Sequence, residues 1–476
     1  MRTITTIILL LNILPLFSQS TDTISIDRLF EQYSSQSPGV SVLVSKGDSI
    51  IYKRNFGQAN LEYGNLITSN TIFNAASLAK QFVAFGIYLL KADGRLSLVD
   101  NVKDYILEFP DYGEPIKISH LLSHTSGIRD QRGLLTLAGY RLDDFISHED
   151  VLQLILRQKE LNFQPGDQFE YSHSNYTLLA HIIETITGLS LNEYMKLNVF
   201  IPLEMNNTFF LDNSNQVIEN RAYSYGIHDG SYVKVNLNYQ NYGPTNLMTS
   251  VDDLFKWILS FSNNEIASQE LIREFDAIAK LKSGNDVLGA DLGEEKILGC
   301  KGQFYRHYKG CDFYSHGGSL GGFRSFLGRF PNEQLSIIIL GNVTSLNTYS
   351  TALKIADIVL GLKIEVPKIE QPKNSNLENE EEDDDNNYSI IPEHYIGNYY
   401  NDELNSNIRF ASVNNHLNLS IGKNKRLDFT IIETDKFMTK LNNEVTMEFI
   451  RNDRNEIKAM KVSTLGVGEL FFEKIN

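Results

Sequence analysis

A serine and a lysine three residues apart, Ser77 and Lys80, are the clearest candidates for chemistry in this 476-residue sequence. They precede an apolar segment that ends at Gly94 and is typical of a buried helix. Residues three apart share a helix face, so the lysine amine approaches the serine hydroxyl. A hydroxyl needs a base to become a nucleophile, and a lysine withdrawn from water has a lowered pKa and accepts a proton. The pair therefore predicts covalent catalysis through Ser77.

The Ser-x-x-Lys spacing occurs twice more, and the flanking sequence argues against both copies. Ser231 and Lys234 stand in an alternating, strand-like pattern, where residues three apart point to opposite faces of a sheet. Ser420 and Lys423 have the same defect, with a glycine between them. For Ser77 and Lys80 there is an alternative that involves no chemistry: a serine near the start of a helix beside a solvated lysine.

A second candidate nucleophile, Ser319, lies in a Gly-x-Ser-x-Gly segment that matches the nucleophile elbow of α/β-hydrolases. That elbow leads from a strand into a helix and requires an acid and a histidine later in the chain. Here a predicted β-hairpin follows, and the later histidines, His394 and His416, lie beyond an acidic segment. The sequence therefore favours Ser77 as the nucleophile.

Two β-hairpins enclose a mainly helical region. The first joins Val40–Val44 to Ser49–Tyr52, and the second joins Phe323–Phe330 to Leu335–Leu340. A helix over Tyr349–Leu360 is expected to close the domain against these strands. The predicted fold class is therefore α/β (α+β): an antiparallel sheet assembled from both ends of the domain and flanked by helices, with a helical subdomain.

Three stretches resemble the β-lactamase-related serine hydrolases, a group that contains class C β-lactamases, DD-peptidases, D-aminopeptidases and esterases. They are Phe73–Phe82, Gly94–Asp100 and Ile118–Ile128, and the Leu-Leu-Ser-His-Thr-Ser-Gly run in the third is very specific to the group. The resemblance covers residues 24–363. It implies a β-lactamase/transpeptidase-like fold and an acyl-enzyme on Ser77. No metal-ligand spacing occurs in the sequence, and neither a metal nor a cofactor is expected.

The second motif of that group, Tyr-x-Asn on a loop before a helix, corresponds to Tyr171-Ser172-His173. By the resemblance, Tyr171 is the proton acceptor and donor that works with Lys80. His173 stands where the group usually has the asparagine that holds the lysine and the substrate amide. We therefore expect His173 at the substrate but with an altered role, and Asn175 is the alternative source of an amide.

The third motif corresponds to His316-Gly317-Gly318, on the strand expected to face the nucleophile. By the resemblance, the backbone N–H of Ser319 joins that of Ser77 as the oxyanion hole. Gly317 and Gly318 allow the substrate backbone to approach the strand closely. A histidine is less reliably cationic than the usual lysine at neutral pH. This favours an esterase or peptidase over an efficient β-lactamase.

The N-terminus has the pattern of a signal peptide over residues 1–20, with Arg2 followed by the apolar run Ile7–Phe17 and small residues at cleavage spacing. The run is short for a membrane span. We therefore expect a secreted or periplasmic protein, with an uncleaved N-terminal anchor as the alternative. In that compartment Cys300 and Cys311 either form a disulfide or remain free thiols.

The remaining sequence predicts a linker and a second domain. Residues 364–388 contain the acidic run Glu378–Asp385 and are predicted to be a disordered linker. Residues 389–476 alternate apolar and polar residues between Asn and Gly turns, which predicts a small all-β barrel or sandwich. This segment resembles the lipocalin-like domain often appended to the same hydrolases.

These observations predict a serine hydrolase that acts through a Ser77 acyl-enzyme on an ester or amide, with a small-molecule or peptide substrate. The net charge of −16 disfavours a nucleic-acid partner, and no stable membrane span is expected. Two alternatives remain. One is a catalytically silent binding protein of the same fold, favoured by His173, and the other is a true β-lactamase or DD-carboxypeptidase.

Overall fold

The computed structural model describes residues 23–362 and 391–475, except residues 142, 294, 414, 415 and 442. The predicted signal peptide (1–20) and the predicted linker (364–388) lie outside the described residues.

Helices and strands of the first described range follow one another in chain order. The helices are α1 (23–28), α2 (Ala79–Ala92), α3 (Ile118–Leu122), α4 (Gln131–Leu137), α5 (His148–Leu156), α6 (His173–Thr187), α7 (Leu191–Met195), α8 (Val251–Asn263), α9 (Gln269–Asp276) and α10 (Thr348–Leu360). The strands are β1 (Val40–Lys46), β2 (Ser49–Phe56), β3 (Gln58–Asn60), β4 (Asn65–Leu66), β5 (Phe73–Asn74), β6 (Phe209–Phe210), β7 (Tyr225–His228), β8 (Ser231–Lys234), β9 (Leu247–Thr249), β10 (Leu288–Asp291), β11 (Lys296–Gly299), β12 (Phe304–Tyr308), β13 (Cys311–Leu320), β14 (Phe323–Phe330) and β15 (Leu335–Gly341). Short 3-10 turns cover Ala76–Leu78 and Val102–Asp104, and a π-helical turn covers Lys196–Phe200.

Within residues 23–362, eight strands form an antiparallel sheet in the order β10-β11-β12-β13-β14-β15-β1-β2. The pairing of β15 with β1 sets Val42 opposite Ile339, so strands from the two ends of the domain are neighbours within the sheet. Both predicted hairpins, β1–β2 and β14–β15, are confirmed. The predicted assembly of the sheet from both ends of the domain is confirmed as well.

Successive strand residues point to opposite sides of the sheet. Apolar residues of β15 lie on both sides, and helices cover both faces. Ile337 and Ile339 of β15 are buried together with Ile355 of α10, which runs from Thr348 to Leu360 as predicted. The intervening residue Ile338 belongs to the other core, with Trp257 of α8. The sheet is therefore the middle layer between two helical layers.

The helix α2 lies inside the larger core. Phe82 and Phe85 are fully buried, and their ring centroids lie 4.5 and 4.9 Å from that of Trp257. The chain leaves the helix through Gly94 at φ 68°, a left-handed conformation that glycine adopts without steric cost. One detail of the prediction is wrong: Ser77 lies in the 3-10 turn Ala76–Leu78, and the α-helix begins after it, at Ala79.

The C-terminal residues form the predicted all-β domain, preceded by the short helix α11 (Pro392–Tyr395). Its strands are β16 (Gly397–Asn401), β17 (Ser406–Val413), β18 (His416–Ile421), β19 (Asn424–Leu427), β20 (Phe429–Glu433), β21 (Lys436–Lys440), β22 (Glu444–Arg451), β23 (Ile457–Thr464) and β24 (Val467–Ile475). Among the described residues they form one nine-stranded sheet in the order β19-β18-β17-β16-β24-β23-β22-β21-β20. The two edge strands are consecutive in the chain, so the sheet curves into a barrel-like shape.

The two domains are joined through a buried ion pair. Arg129 Nη1 lies 2.9 Å from Glu403 Oε2, and the side chains of the two residues are 3% and 10% exposed. Arg129 Nη2 donates to the carbonyl of Glu469 at 3.0 Å, and the N–H of Lys159 donates to Glu403 at 2.7 Å. Since a buried charge is costly unless it is paired, these contacts fix the position of the β-domain.

Two further expectations concern the two cysteines and a membrane span. Cys300 and Cys311 are both buried and free, so the structure contains the thiol form of the two alternatives. No helix in the described ranges is both long and apolar enough to cross a membrane.

Candidate active site

Ser77 is 7% exposed, and its backbone neighbour is held in an unusual conformation. Ala76 has φ 48°, in the left-handed region that costs a residue with a Cβ about 1–2 kcal/mol. Its N–H donates to Asn74 Oδ1 at 2.9 Å, and Asn74 in turn donates to Asn246 Oδ1 at 3.0 Å. This buried amide network holds the turn that presents Ser77 to the cleft.

Lys80 is completely buried beside the serine. Its Nζ lies 3.2 Å from Ser77 Oγ and donates to the carbonyl of Pro244 at 3.0 Å. Among the described residues, no carboxylate forms an ion pair with it. Burial lowers the pKa of the Lys80 amine well below its ordinary value, because the charged form loses its hydration. Lys80 is therefore placed and tuned to accept a proton from Ser77.

Tyr171 precedes α6, as predicted, and packs over the lysine. Lys80 Nζ lies 4.8 Å from the centroid of the Tyr171 ring, and the centroid of the His124 ring lies 4.4 Å from the same centroid. Burial raises the pKa of the Tyr171 hydroxyl, and its interaction with Ser77 opposes that shift without cancelling it. Tyr171 therefore keeps its proton at neutral pH and is placed to donate it.

His173, the first residue of α6, is held by a carboxylate. Asp130 Oδ2 lies 2.8 Å from His173 Nδ1 and accepts the His173 backbone N–H at 2.5 Å. Burial and the nearby Lys80 lower the pKa of His173 to about 4. Burial alone would raise the pKa of Asp130, but hydrogen bonds from the His173 ring and from the backbone N–H groups of His173 and Arg132 lower it instead. At neutral pH Asp130 is thus ionised, and a neutral His173 donates Nδ1–H to it.

Asn175 does not replace the missing amide. Its Oδ1 accepts from Ser126 Oγ at 2.6 Å, and its Nδ2 lies 3.3 Å from His124 Nδ1. The same His124 nitrogen accepts the backbone N–H of Ser172 at 3.1 Å. Asn175 and His124 therefore fix the loop that carries Tyr171, which rules out the alternative that Asn175 contacts Lys80.

The third motif lies on β13, which passes directly beside the turn of Ser77. A Cβ added to Gly318 would lie 2.5 Å from the carbonyl oxygen of Ala75 and 3.0 Å from the backbone nitrogen of Ser77. Glycine is therefore required by this close approach. The neighbouring strand adds a hydrogen bond, since Ser325 Oγ donates to the Ala75 carbonyl at 2.6 Å.

His316 is 5% exposed and lies beside Tyr171, with ring centroids 6.1 Å apart. Burial and the neighbouring Lys80 lower the pKa of His316 to about 3. The imidazole is neutral at physiological pH and offers no cation to a substrate.

The structure brings the sequence-predicted residues together around one cleft of about 730 Å³. Its lining includes Ser77, Tyr171, His173, His316, Gly317, Gly318 and Ser319. Lys80 lies beneath the floor of this cleft. Among the described residues, no cluster of three or more His, Cys, Asp or Glu is arranged to hold a metal ion.

The two other Ser-x-x-Lys copies lie away from this cleft, and Ser319 lines it without the geometry of a nucleophile elbow. Ser231 and Lys234 lie on the exposed strand β8, and Lys234 pairs with Glu62. Lys423 pairs with Asp144 at the surface. The Gly-x-Ser-x-Gly segment ends in the β13–β14 hairpin, so Ser319 is not on a strand-to-helix elbow.

Sequence reasoning missed charged residues at the cleft: Arg132 and Arg324 line it, and Asp130 bonds to the lining residue His173. Asp130 follows Gly127, the last residue of the specific Ser-His-Thr-Ser-Gly run, by three positions. A carboxylate just after that run, together with a histidine at the Asn position, was the available signal for a paired His173. Arg132 lines the cleft with an exposed side chain, and no motif pointed to it.

Comparison with known proteins identifies the family. The model of the β-lactamase family matches residues 26–360, and the chain belongs to this family. Penicillin-binding protein 4* of Bacillus subtilis (strain 168) is 28% identical over 424 residues, which cover 85% of this chain and 89% of that protein.

Solved structures show the same fold. The octameric penicillin-binding protein homologue from Pyrococcus abyssi has a TM-score of 0.63 at 22% identity, covering 96% of this chain and 99% of that one. The D-amino acid amidase from Ochrobactrum anthropi SV3, complexed with D-phenylalanine, has a TM-score of 0.59 at 18% identity, covering 73% and 99%. The chain thus has the β-lactamase/transpeptidase-like fold with a C-terminal barrel-like domain, as the sequence predicted.

Proposed function

We propose that this protein is a serine hydrolase that cleaves an amide or ester through an acyl-enzyme on Ser77. The observation that carries the proposal is the fully buried Lys80 amine, 3.2 Å from Ser77 Oγ and without a carboxylate partner among the described residues. A lysine in that environment is a base at neutral pH, and a serine hydroxyl beside a base is a nucleophile. Membership of the β-lactamase family supports the same assignment.

In the acylation step, Ser77 Oγ bonds to the substrate carbonyl carbon while its proton passes to Lys80 Nζ. The backbone N–H groups of Ser77 and Ser319 donate to the oxygen that becomes negative. Tyr171 donates its proton to the departing amine or alcohol and is reprotonated from Lys80. The products of this step are the free leaving group and an ester on Ser77.

In the deacylation step, water attacks the same carbonyl carbon and the Ser77 oxygen leaves. The amine of Lys80 and the Tyr171 hydroxyl carry the water proton back to Ser77. His173 lines the cleft where this exchange takes place, and its Nδ1 is engaged with Asp130. The net reaction is hydrolysis of one acyl bond, with the enzyme returned to its starting protonation state.

The neutral His316 supports a peptidase, amidase or esterase over an efficient β-lactamase. Its buried imidazole lacks the positive charge that the usual lysine offers to a substrate carboxylate. The likeness to the D-amino acid amidase supports an amide substrate. A penicillin is therefore expected to acylate Ser77 slowly or not at all.

The test is intact-protein mass spectrometry of the full chain after exposure to a fluorophosphonate and, separately, to a penicillin, with Ser77→Ala as control. We expect a fluorophosphonate adduct on the wild-type chain that is absent from the variant. Rapid penicillin labelling would instead favour a penicillin-recognising enzyme. Absence of labelling by both reagents would contradict the proposal and favour the catalytically silent binding protein.

We also propose that the protein is exported after removal of residues 1–20, on the basis of the N-terminal pattern. The mass of the protein recovered from the native host tests this directly. A mass that includes residues 1–20 would favour the uncleaved anchor.

A further inference from the structure

A second cavity of about 330 Å³ adjoins the cleft, and both domains line it. Three residues, Arg132, Tyr171 and His173, line both spaces, so a substrate held at Ser77 has access to the second. We call this second space the interdomain cavity. Its volume is at the lower end of the range of about 300–1,000 Å³ for small-molecule sites.

The body of the interdomain cavity is apolar. Its lining includes Leu135, Tyr140, Ile146, Tyr239, Leu320 and Leu465. The hydroxyl of Tyr239 is already engaged with Gln131 and Asn241, which leaves its ring as the surface. Leu465 is 73% exposed although it is a large apolar residue. An apolar group of a ligand would remove this surface from water, which is favourable in proportion to the area covered.

One cation in this lining, Arg132, has no ion-pair partner among the described residues. Asp130 pairs with His173, Glu170 accepts from Asn162 at 2.5 Å, and Arg141 pairs with Asp143. Arg132, by contrast, is exposed and has no carboxylate within ion-pair distance among the described residues. It stands where the interdomain cavity meets the cleft, beside an apolar space and with an unpaired guanidinium.

Hydrogen bonds to the catalytic domain hold the wall of the cavity that the C-terminal domain contributes. The turn between β23 and β24 carries Leu465 and Gly466, and the Gly466 carbonyl accepts the N–H of Asp130 at 2.6 Å. Asn162 Nδ2 donates to the same carbonyl at 3.1 Å, and Asn162 Oδ1 accepts the N–H of Gly468 at 2.9 Å. The turn is thus held by hydrogen bonds against the catalytic domain.

We propose that the interdomain cavity is a subsite for a bulky apolar side chain whose neighbouring carboxylate pairs with Arg132, and that Leu465 of the C-terminal domain helps to select it. The substrate class is an acylated amino acid or short peptide with a free carboxylate next to an aromatic or branched aliphatic residue. This inference rests on the proposed hydrolase function for its meaning. In this proposal Arg132, on α4, supplies the positive charge that the neutral His316 does not.

The experiment measures binding without chemistry, by calorimetry on the full chain carrying Ser77→Ala. The ligands are N-acetyl-phenylalanine, its primary amide and N-acetyl-alanine, each as both enantiomers. We expect one enantiomer of N-acetyl-phenylalanine to bind at least about tenfold more tightly than either comparison compound, because one loses the ion pair and the other the apolar contact.

Variants in the same Ser77→Ala background assign the two contacts. Leu465→Trp should fill the cavity and abolish the preference for phenylalanine, whereas Leu107→Trp, at a residue 80% exposed and outside the cavity lining, should leave it unchanged. Arg132→Gln should remove the preference for the carboxylate over the amide, and Arg132→Lys should retain part of it. His316 is neutral and is therefore not expected to pair with the ligand carboxylate when Arg132 is replaced.

The result that overturns the inference is equal binding of the three ligands, binding that is insensitive to Leu465→Trp, or no binding of any of them. Fluorophosphonate labelling of the wild-type chain reports the nucleophile separately. Labelling without selective binding would refute the subsite alone, and selective binding without labelling would refute the hydrolase while retaining the site.

Discussion

The two sides of the cleft are built differently. On the nucleophile side, which we define as Ser77, Lys80 and β13, the reacting residues lie on one helical turn and one strand of the central sheet. On the domain-facing side, defined as Asp130, His173 and the β23–β24 turn, Asp130 and His173 are 43 residues apart in the chain. The turn that supports Asp130 comes from the other domain.

This difference separates chemistry from recognition. The nucleophile side depends on burial of one amine and on a sheet register, both internal to the catalytic domain. The domain-facing side depends on hydrogen bonds and packing between two domains, so small changes there shift the geometry without removing a reacting group. Perturbations of the first side should therefore have larger effects on acylation than perturbations of the second.

The largest expected effect is that of Lys80→Met on the nucleophile side. Removal of the general base should slow labelling of Ser77 by the fluorophosphonate by about 100- to 10,000-fold. The same substitution should increase the stability of the folded chain at neutral pH. The pKa of Lys80 is lowered in the folded chain from its ordinary value of 10.5, so below pH 10.5 the unfolded chain binds a proton that the folded chain does not.

That imbalance costs stability as pH falls from 10.5 to the lowered pKa, and methionine removes it. The Tm of Lys80→Met should therefore exceed that of the wild type at pH 7, with a smaller difference near pH 10. Thermal unfolding at the two pH values measures this. A variant less stable than the wild type at pH 7 would show that the amine stabilises the fold.

The next effect is that of Asp130→Asn on the domain-facing side. The loss of a charged acceptor for both the backbone N–H and the Nδ1–H of His173 should slow labelling by roughly 10- to 100-fold. Asp111→Asn is a matched control, since that carboxylate is 77% exposed and pairs with Lys103 at the surface. Equal rates for the two variants would mean that Asp130 does not position His173 for the reaction.

A smaller effect is expected from Gly466→Ala, compared with Gly230→Ala. Both glycines have φ 75°, so both substitutions carry the same backbone cost. A Cβ at Gly466 would lie 2.6 Å from Asp130 Cβ, whereas a Cβ at Gly230 would meet nothing within 4 Å. We expect up to about tenfold slower labelling for Gly466→Ala and unchanged labelling for Gly230→Ala. Similar rates in both would show that the turn and Asp130 are not coupled.

The smallest effects concern the pH dependence of labelling. The acid limb follows protonation of Lys80, whose pKa is lowered by burial first, raised by the charge of Asp130 and lowered by the charge of Arg132. Arg132→Gln should therefore move the acid limb to higher pH, and Asp130→Asn should move it to lower pH, each by less than about one pH unit. The pKa values of His173 and His316 are lowered to about 4 and about 3. Shifts of the same sign in the two variants would contradict this electrostatic account.

Much of the nucleophile side was predictable from sequence. Ser77 and Lys80 stand in a helical pattern, whereas two other copies of their spacing stand in alternating patterns. Both hairpins that frame the sheet were predicted, although β2 extends four residues beyond its predicted end at Tyr52. These features are encoded by local periodicity. The position of Ser77 in a 3-10 turn was missed, because the left-handed φ of Ala76 depends on the amide of Asn74 and not on the residue types of the turn.

The domain-facing side was predictable only in part. The departure of His173 from the family motif was visible, but its partner was not, because a carboxylate 43 residues away carries no periodic signal. Asn175 was an open alternative until its hydrogen bonds to Ser126 and His124 placed it in the loop. The C-terminal domain was predicted as all-β, yet nothing in its sequence indicated that Leu465 lines the interdomain cavity.

The sequence by itself determined the elements, the Ser77 and Lys80 pair and the family, since helical spacing, alternation and short motifs are local properties of a chain. Tertiary structure decided the charge states and the shape of the substrate-binding surface. Lys80 is a base because packing removes its water, and His173 is neutral and oriented because Asp130 lies beside it. The interdomain cavity exists because a turn more than 300 residues further along the chain packs against α4.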